Sequence, residues 1–120
     1  EREIISISAL CNNARLDPDP PGYSGDPTEG ALLVFAAKKR DIERLISENP
    51  RQREIPFDSS RQRMTVICRG SSDRLTAYIK GAPKVVLSRC DRVQTRQGVY
   101  PITDSMRDAI LTDHREIASR

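Results

Sequence analysis

The side chains best suited to act as nucleophiles, bases or metal ligands are Cys11, Cys68, Cys90 and the single histidine, His114. Their spacing supports none of those roles. Three widely separated cysteines make neither a disulfide framework nor a metal-ligand pattern beside one histidine. His114 lies in a polar stretch with no cysteine or serine in a triad-like setting, so a plain surface histidine is the reading and no role is assigned to it. Neither GxxxxGK(S/T) nor GxGxxG occurs, which excludes the two commonest phosphate cradles. Without a nucleophile and base pair, a free-standing hydrolase is not expected.

The whole chain narrows the choice further. Its 120 residues suffice for a core without covalent staples. Twenty Lys and Arg against 17 Asp and Glu leave a net charge of +3, with the signs interleaved. That balance does not call for nucleic acid. No apolar run approaches the roughly 20 residues a membrane-spanning helix needs, so direct membrane contact is not expected. Free cysteines make the reducing cytosol the default compartment. There is no initiator methionine and no signal peptide. Because the chain opens on Glu1-Arg2-Glu3 beside an apolar pattern and stops at Ala118-Ser119-Arg120 within a helical one, we expect one domain, residues 1–120, excised from a larger protein.

The elements follow from punctuation and period. The dense apolar run Ile4–Cys11 fits a helix or a strand; we favour a helix ending near Asn12-Asn13. Three prolines and two glycines between Leu16 and Gly25 imply an exposed loop. Asp26-Pro27-Thr28-Glu29 is a helix start, with Asp26 as cap, Pro27 at the first helical position and Glu29 spaced for a capping box. That helix is expected to reach about Lys39, and a second to run from Asp41 to Glu48, stopped before Pro50. Beyond Pro50, alternating runs at Ile55 and Phe57, Met64–Cys68 and Leu75–Ile79 predict an antiparallel meander. Gly81-Ala82-Pro83 ends the third strand and opens a helix to Cys90. Val93 and Val99-Tyr100 predict a hairpin around Gly98, and Thr103 caps a last helix with Met106, Ile110 and Ile117 on one stripe. Helices against one antiparallel sheet make this an α+β fold.

Three segments stand in a distinctive order: Gly25-Asp26-Pro27-Thr28-Glu29-Gly30-Ala31-Leu32, Pro56-Phe57-Asp58-Ser59-Ser60-Arg61-Gln62-Arg63-Met64 and Lys80-Gly81-Ala82-Pro83. Preceded by Ala9-Leu10-Cys11-Asn12-Asn13, they resemble the nucleotide-binding domain of cation-transporting P-type ATPases across essentially the whole chain. The motifs are closest to the branch that includes calcium pumps and the sodium/potassium pump; the His-Pro pair of the heavy-metal pumps is absent.

The resemblance implies an ATP site. Phe57 would stack on adenine, a contact worth about 1–3 kcal/mol that needs a partly exposed ring; alternation alone leaves a core position equally open. Lys80 would reach the nucleotide at the pocket mouth as a point charge, where the plain alternative is a solvated lysine at a strand end. Gly81 would let backbone approach the ligand, having no Cβ. Glu29 would sit beside the adenine amino group, in competition with its capping-box role. Gln62 stands where relatives commonly carry lysine, so it can hydrogen-bond the base or ribose but adds no charge. Arg61 or Arg63 would then take the electrostatic part. Lys84 replaces a glutamate common in calcium pumps and warns against assuming one ion.

The resemblance also places chemistry outside this chain. The phosphorylated aspartate of the DKTGT motif belongs to a separate domain, and Mg²⁺ acts there in the parent enzyme. The partners implied are ATP or ADP and the phosphorylation and actuator domains of the same chain, on the cytoplasmic side of an integral membrane protein. The alternative is a regulatory or interaction module on the same scaffold that has lost nucleotide binding.

Overall fold

The computed structural model describes residues 1–120, and the chain divides into two compact units, Glu1–Lys80 and Gly81–Arg120. Both mix helices with antiparallel ladders, in agreement with the α+β expectation. The ladders form three small sheets instead of one, ordered β1-β2, β3-β4-β5 and β6-β7.

The first unit begins with α1 (Arg2–Leu10) and a short hairpin of β1 (Arg15–Leu16) and β2 (Tyr23–Ser24), followed by α2 (Pro27–Ala37) and α3 (Ile42–Glu48). The hairpin corrects the expected loop between Leu16 and Gly25. Asp17 N donates to Gly22 O at 3.0 Å and Gly22 N to Asp19 O at 2.8 Å, while Gly22 takes φ +96°, a conformation natural to glycine. Two-residue strands carry no readable alternation, so only their turn was visible. Both helix starts follow their capping residues: Asp26 Oδ2 accepts from Glu29 N at 3.0 Å, and Asp41 Oδ1 accepts from Arg44 N at 3.2 Å. Gly30 is required where it stands, because a Cβ there would collide with the Tyr23 ring.

The sheet comprises β3 (Arg51–Ile55), β4 (Arg63–Arg69) and β5 (Leu75–Gly81), with a 3₁₀ turn at Ser71–Asp73. β3 pairs antiparallel with β4 in a register that sets Glu54 opposite Val66 and Ile55 opposite Thr65. The strand expected at Ile55 and Phe57 therefore lies earlier and ends before Phe57. Its Arg-Gln-Arg-Glu start, exposed at its first three positions, hides it from any apolar pattern. Ile5, Ala9, Leu10 and Cys11 pack with Leu33, Ala36, Ile42 and Leu45 and with Met64, Val66 and Cys68 of β4. Every buried residue of the chain lies between Ile5 and Cys68.

The second unit contains α4 (Pro83–Ser88), the hairpin β6 (Arg92–Thr95) and β7 (Gly98–Pro101), and α5 (Asp104–Ala118). Thr103 Oγ1 accepts from Met106 N at 3.1 Å, as its capping role requires. Arg107 closes the end of α4 by donating to Cys90 O at 2.7 Å and Leu87 O at 3.4 Å, supplying partners for terminal carbonyls. No residue of this unit is buried. Of the stripe expected on α5, Met106 is half-buried while Ile110 and Ile117 are exposed, Ile117 at 66%.

Candidate functional site

The turn that ends α1 gathers side chains from three other elements. Asn12 is buried and fully used: its Nδ2 donates to Ser8 O at 2.9 Å and to Glu29 O at 2.8 Å, and its Oδ1 accepts from Ala14 N at 2.8 Å. This ties the end of α1 to the first turn of α2. Glu29 then turns its carboxylate away from the helix start. Its Oε2 accepts from Asn13 N at 2.8 Å and from Lys80 Nζ at 2.8 Å. The half of the capping box that Glu29 could have supplied is thus replaced by a bond to the preceding turn and an ion pair with β5. Asp26 supplies the other half alone.

Glu29 and Lys80 side chains are 18% and 25% exposed. The pair is half-sheltered, and the ammonium keeps two further donors beyond the Glu29 bond. Lys80 is therefore not the solvated strand-end lysine that spacing alone allowed. Beneath it, burial pushes the Cys11 thiol up, an effect the neighbouring Lys80 charge partly offsets. Cys11 Sγ donates to Met64 O at 3.7 Å, as a sheltered core thiol.

Residues not singled out from sequence brace this junction. Arg51 donates from Nη1 to Asn13 Oδ1 at 2.6 Å and Glu54 Oε1 at 3.2 Å, and from Nη2 to Leu10 O at 3.2 Å and Asn12 O at 2.7 Å. Asn13 Nδ2 donates in turn to Glu54 Oε2 at 2.8 Å. One guanidinium thus satisfies carbonyls left open at the end of α1 and fixes the side chain next to the Glu29 bond. Asn12-Asn13 was the only sequence signal for this arrangement; Arg51 and Glu54 carried none.

Phe57, Arg61 and Gln62 share the loop from β3 to β4. Asp58 organises it: its Oδ1 accepts from Ser60 N at 2.8 Å, Ser60 Oγ at 2.6 Å and Arg61 N at 2.7 Å, while Asp58 O accepts from Gln62 N at 2.7 Å. The Ser60 hydroxyl, followed by the Arg61 amide, holds the Asp58 carboxyl below the ordinary carboxylate range. Gln62 takes φ +55° and is exposed. Phe57 is 59% exposed, which removes the core alternative. Arg61 donates to Ile55 O at 3.4 Å, Pro56 O at 3.2 Å, Arg63 O at 3.4 Å and Thr65 Oγ1 at 3.1 Å.

The expected residues therefore fall into two groups, Glu29 with Lys80 and Phe57 with Arg61 and Gln62. β3 connects them through adjacent residues, since Glu54 bonds to Asn13 and Ile55 accepts from Arg61. Gly81 closes β5, exposed, directly after Lys80, and Lys84 is exposed on α4. A hollow of about 290 Å³ lies among Leu10, Asn12, Asn13, Asn49, Arg51 and Cys68, and includes neither Phe57 nor Lys80. A stacking platform is an open ring, so the position of that hollow does not bear on it.

The family described as the P-type ATPase cytoplasmic domain N matches residues 2–120. A calcium-transporting ATPase of Bacillus subtilis is 38% identical over 95 residues, 77% of this chain and 11% of that protein. A calcium-transporting ATPase of Listeria monocytogenes is 30% identical over 121 residues, 100% of this chain and 14% of that protein. A cation-transporting ATPase of Synechocystis is 38% identical over 99 residues, 80% of this chain and 11% of that protein. The chain thus spans only 11–14% of the length of these relatives. No helix is long and apolar enough to cross a membrane.

Proposed function

The chain belongs to the family of P-type ATPase cytoplasmic N domains, and from that premise we propose that it binds ATP by its adenine and presents the γ-phosphate to an aspartate on a separate phosphorylation domain. The observation that carries this reading is the open ring of Phe57, 59% exposed on a loop that Asp58 folds by accepting from the Ser60 and Arg61 amides. An apolar ring left in water has unrealised contact area, and a purine can cover it. Glu29 and Lys80, joined at 2.8 Å, supply a carboxylate for the adenine amino group and an ammonium for the ribose or phosphates. Gln62 offers a neutral hydrogen-bonding side chain, and Gly81, which has no Cβ, follows Lys80 directly.

In the parent protein, the reaction served is phosphoryl transfer to the aspartate and then hydrolysis coupled to cation movement, with the actuator domain as the other cytoplasmic partner. The relatives' names speak of calcium and of cations; cation transport is the part carried over. Mg²⁺ acts with the phosphates at the phosphorylation site, and no residue of this chain is assigned to it. This domain contributes proximity and orientation to the transfer. One stacked ring and one or two charged contacts leave little after association costs, so a dissociation constant of about 1 mM or somewhat below is expected.

Titration with ATP followed by backbone amide NMR tests the reading. Signals near Phe57, Lys80 and Glu29 should shift, and Phe57→Ala should abolish most of the response. ADP and AMP should bind comparably, because the base carries recognition. Shifts clustered elsewhere would overturn the site, and a strong Mg²⁺-dependent preference for the triphosphate would require a phosphate cradle. A flat titration would favour the regulatory module that has lost nucleotide binding.

A further inference from the structure

Arg61 is the arginine of the loop between β3 and β4. Its guanidinium reaches carbonyls on both sides of the loop: Ile55 and Pro56 before the ring, Arg63 after it, and the Thr65 hydroxyl on β4. Asp58 closes the same loop from within through Ser60 and Arg61 amides. The planar fork suits this task, because its donors diverge in fixed directions and a single ammonium cannot reproduce them. Thr65 is buried, so one end of the clamp is set in the packed part of β4. Nη1 is committed to three carbonyls and Nη2 to the Thr65 hydroxyl, which orients the fork along the loop. The loop ends at Gln62 in a left-handed conformation, φ +55°, which a non-glycine residue adopts at a cost and keeps only where surrounding bonds impose it.

We infer that Arg61 is a positioning residue: it locks the loop from Pro56 to Gln62 in the shape that leaves the Phe57 ring open for a flat heteroaromatic ligand, and it does not itself bind the phosphates. The inference rests on the nucleotide reading for its ligand, but its structural half stands independently. Arg61 thereby shifts from an electrostatic substitute for the lysine absent at position 62 to part of the frame around the ring. Charge toward phosphate then rests on Lys80, and recognition by this loop is indifferent to the length of the phosphate chain.

Two measurements on Arg61→Lys, Arg61→Gln and Thr65→Val separate the possibilities. The first is ¹⁵N relaxation without nucleotide. Order parameters across residues 57–62 should fall in both Arg61 variants from about 0.85 toward about 0.6, with a smaller fall in Thr65→Val, while Val66 and Cys68 amides keep their protection. Unchanged loop order overturns the inference, whether or not any nucleotide binds. The second is affinity for adenosine, AMP, ADP and ATP. Both Arg61 variants should weaken all four by a common factor of about three to ten, within the range that stacking can account for. A loss that grows with each phosphate, and that Arg61→Lys restores, would mean direct phosphate contact and would contradict the inference. If the wild-type chain bound none of the four, the nucleotide reading would fail while the relaxation result still decided the role of Arg61.

Discussion

The Glu29–Lys80 junction and the Phe57 loop are two halves of one candidate site, built by opposite means. Glu29 rides at the start of the α2 stripe that carries Leu33 and Ala36, four and seven residues on, into the core, and Lys80 extends from a strand of the three-stranded sheet. Packing of apolar side chains sets their positions, and Asn13, Arg51 and Glu54 refine them. The Phe57 loop has no buried residue between Pro56 and Arg63. Its shape rests on hydrogen bonds accepted by Asp58 and donated by Arg61 in or near water, where each contributes little. Damage to the first half should therefore appear as lost stability together with lost binding, whereas damage to the second should appear as lost binding with the fold intact.

The largest expected effect is at the core behind the junction. Leu33 is 2% exposed, and Leu33→Ala should cost about 2–5 kcal/mol in denaturant unfolding, with nucleotide response falling alongside. An unchanged midpoint would break the claim that packing sets the junction. Glu29→Gln comes next. It keeps the shape and removes the ion pair to Lys80, a change expected to cost on the order of 1 kcal/mol or less for a partly screened pair. The deficit should narrow in high salt; a salt-independent deficit would show that the charge was not its source.

A smaller and local effect concerns Asp58. Its carboxyl is held below its ordinary range in the folded chain, so its contribution is present above the unfolded-state value and is lost as pH falls through the lower folded value. Acid should therefore release Ser60 and Arg61 amides in an NMR titration, and Asp58→Asn should abolish that step. Retention of the step in Asp58→Asn would assign it to another carboxylate. Least of all should follow from Ile117→Ala in the second unit, where the side chain is 66% exposed; a change within about 0.5 kcal/mol is expected.

Features set by local chemistry were legible in the sequence. Asp26 and Thr103 each accept the amide that helix capping requires, and the turn before Gly98 closes a hairpin where expected. Features set by long-range polar bonds were not. Arg51 looks like one of many arginines until the chain brings Leu10, Asn12, Asn13 and Glu54 around it. Glu29 carried two readings in sequence, and only the approach of Asn13 and Lys80 decided where its carboxylate turns. The exposure of Phe57 was likewise undetermined by alternation, because β3 ends at Ile55 and the ring lies beyond its period.

The contact between base and ring is what the functional account depends on. Intermolecular nuclear Overhauser effects from the adenine protons of bound ATP test it most directly. Cross-peaks to the ring protons of Phe57 and none to the core methyls of Val66 are expected. Saturable binding whose adenine cross-peaks fall on other residues and avoid Phe57 would contradict it.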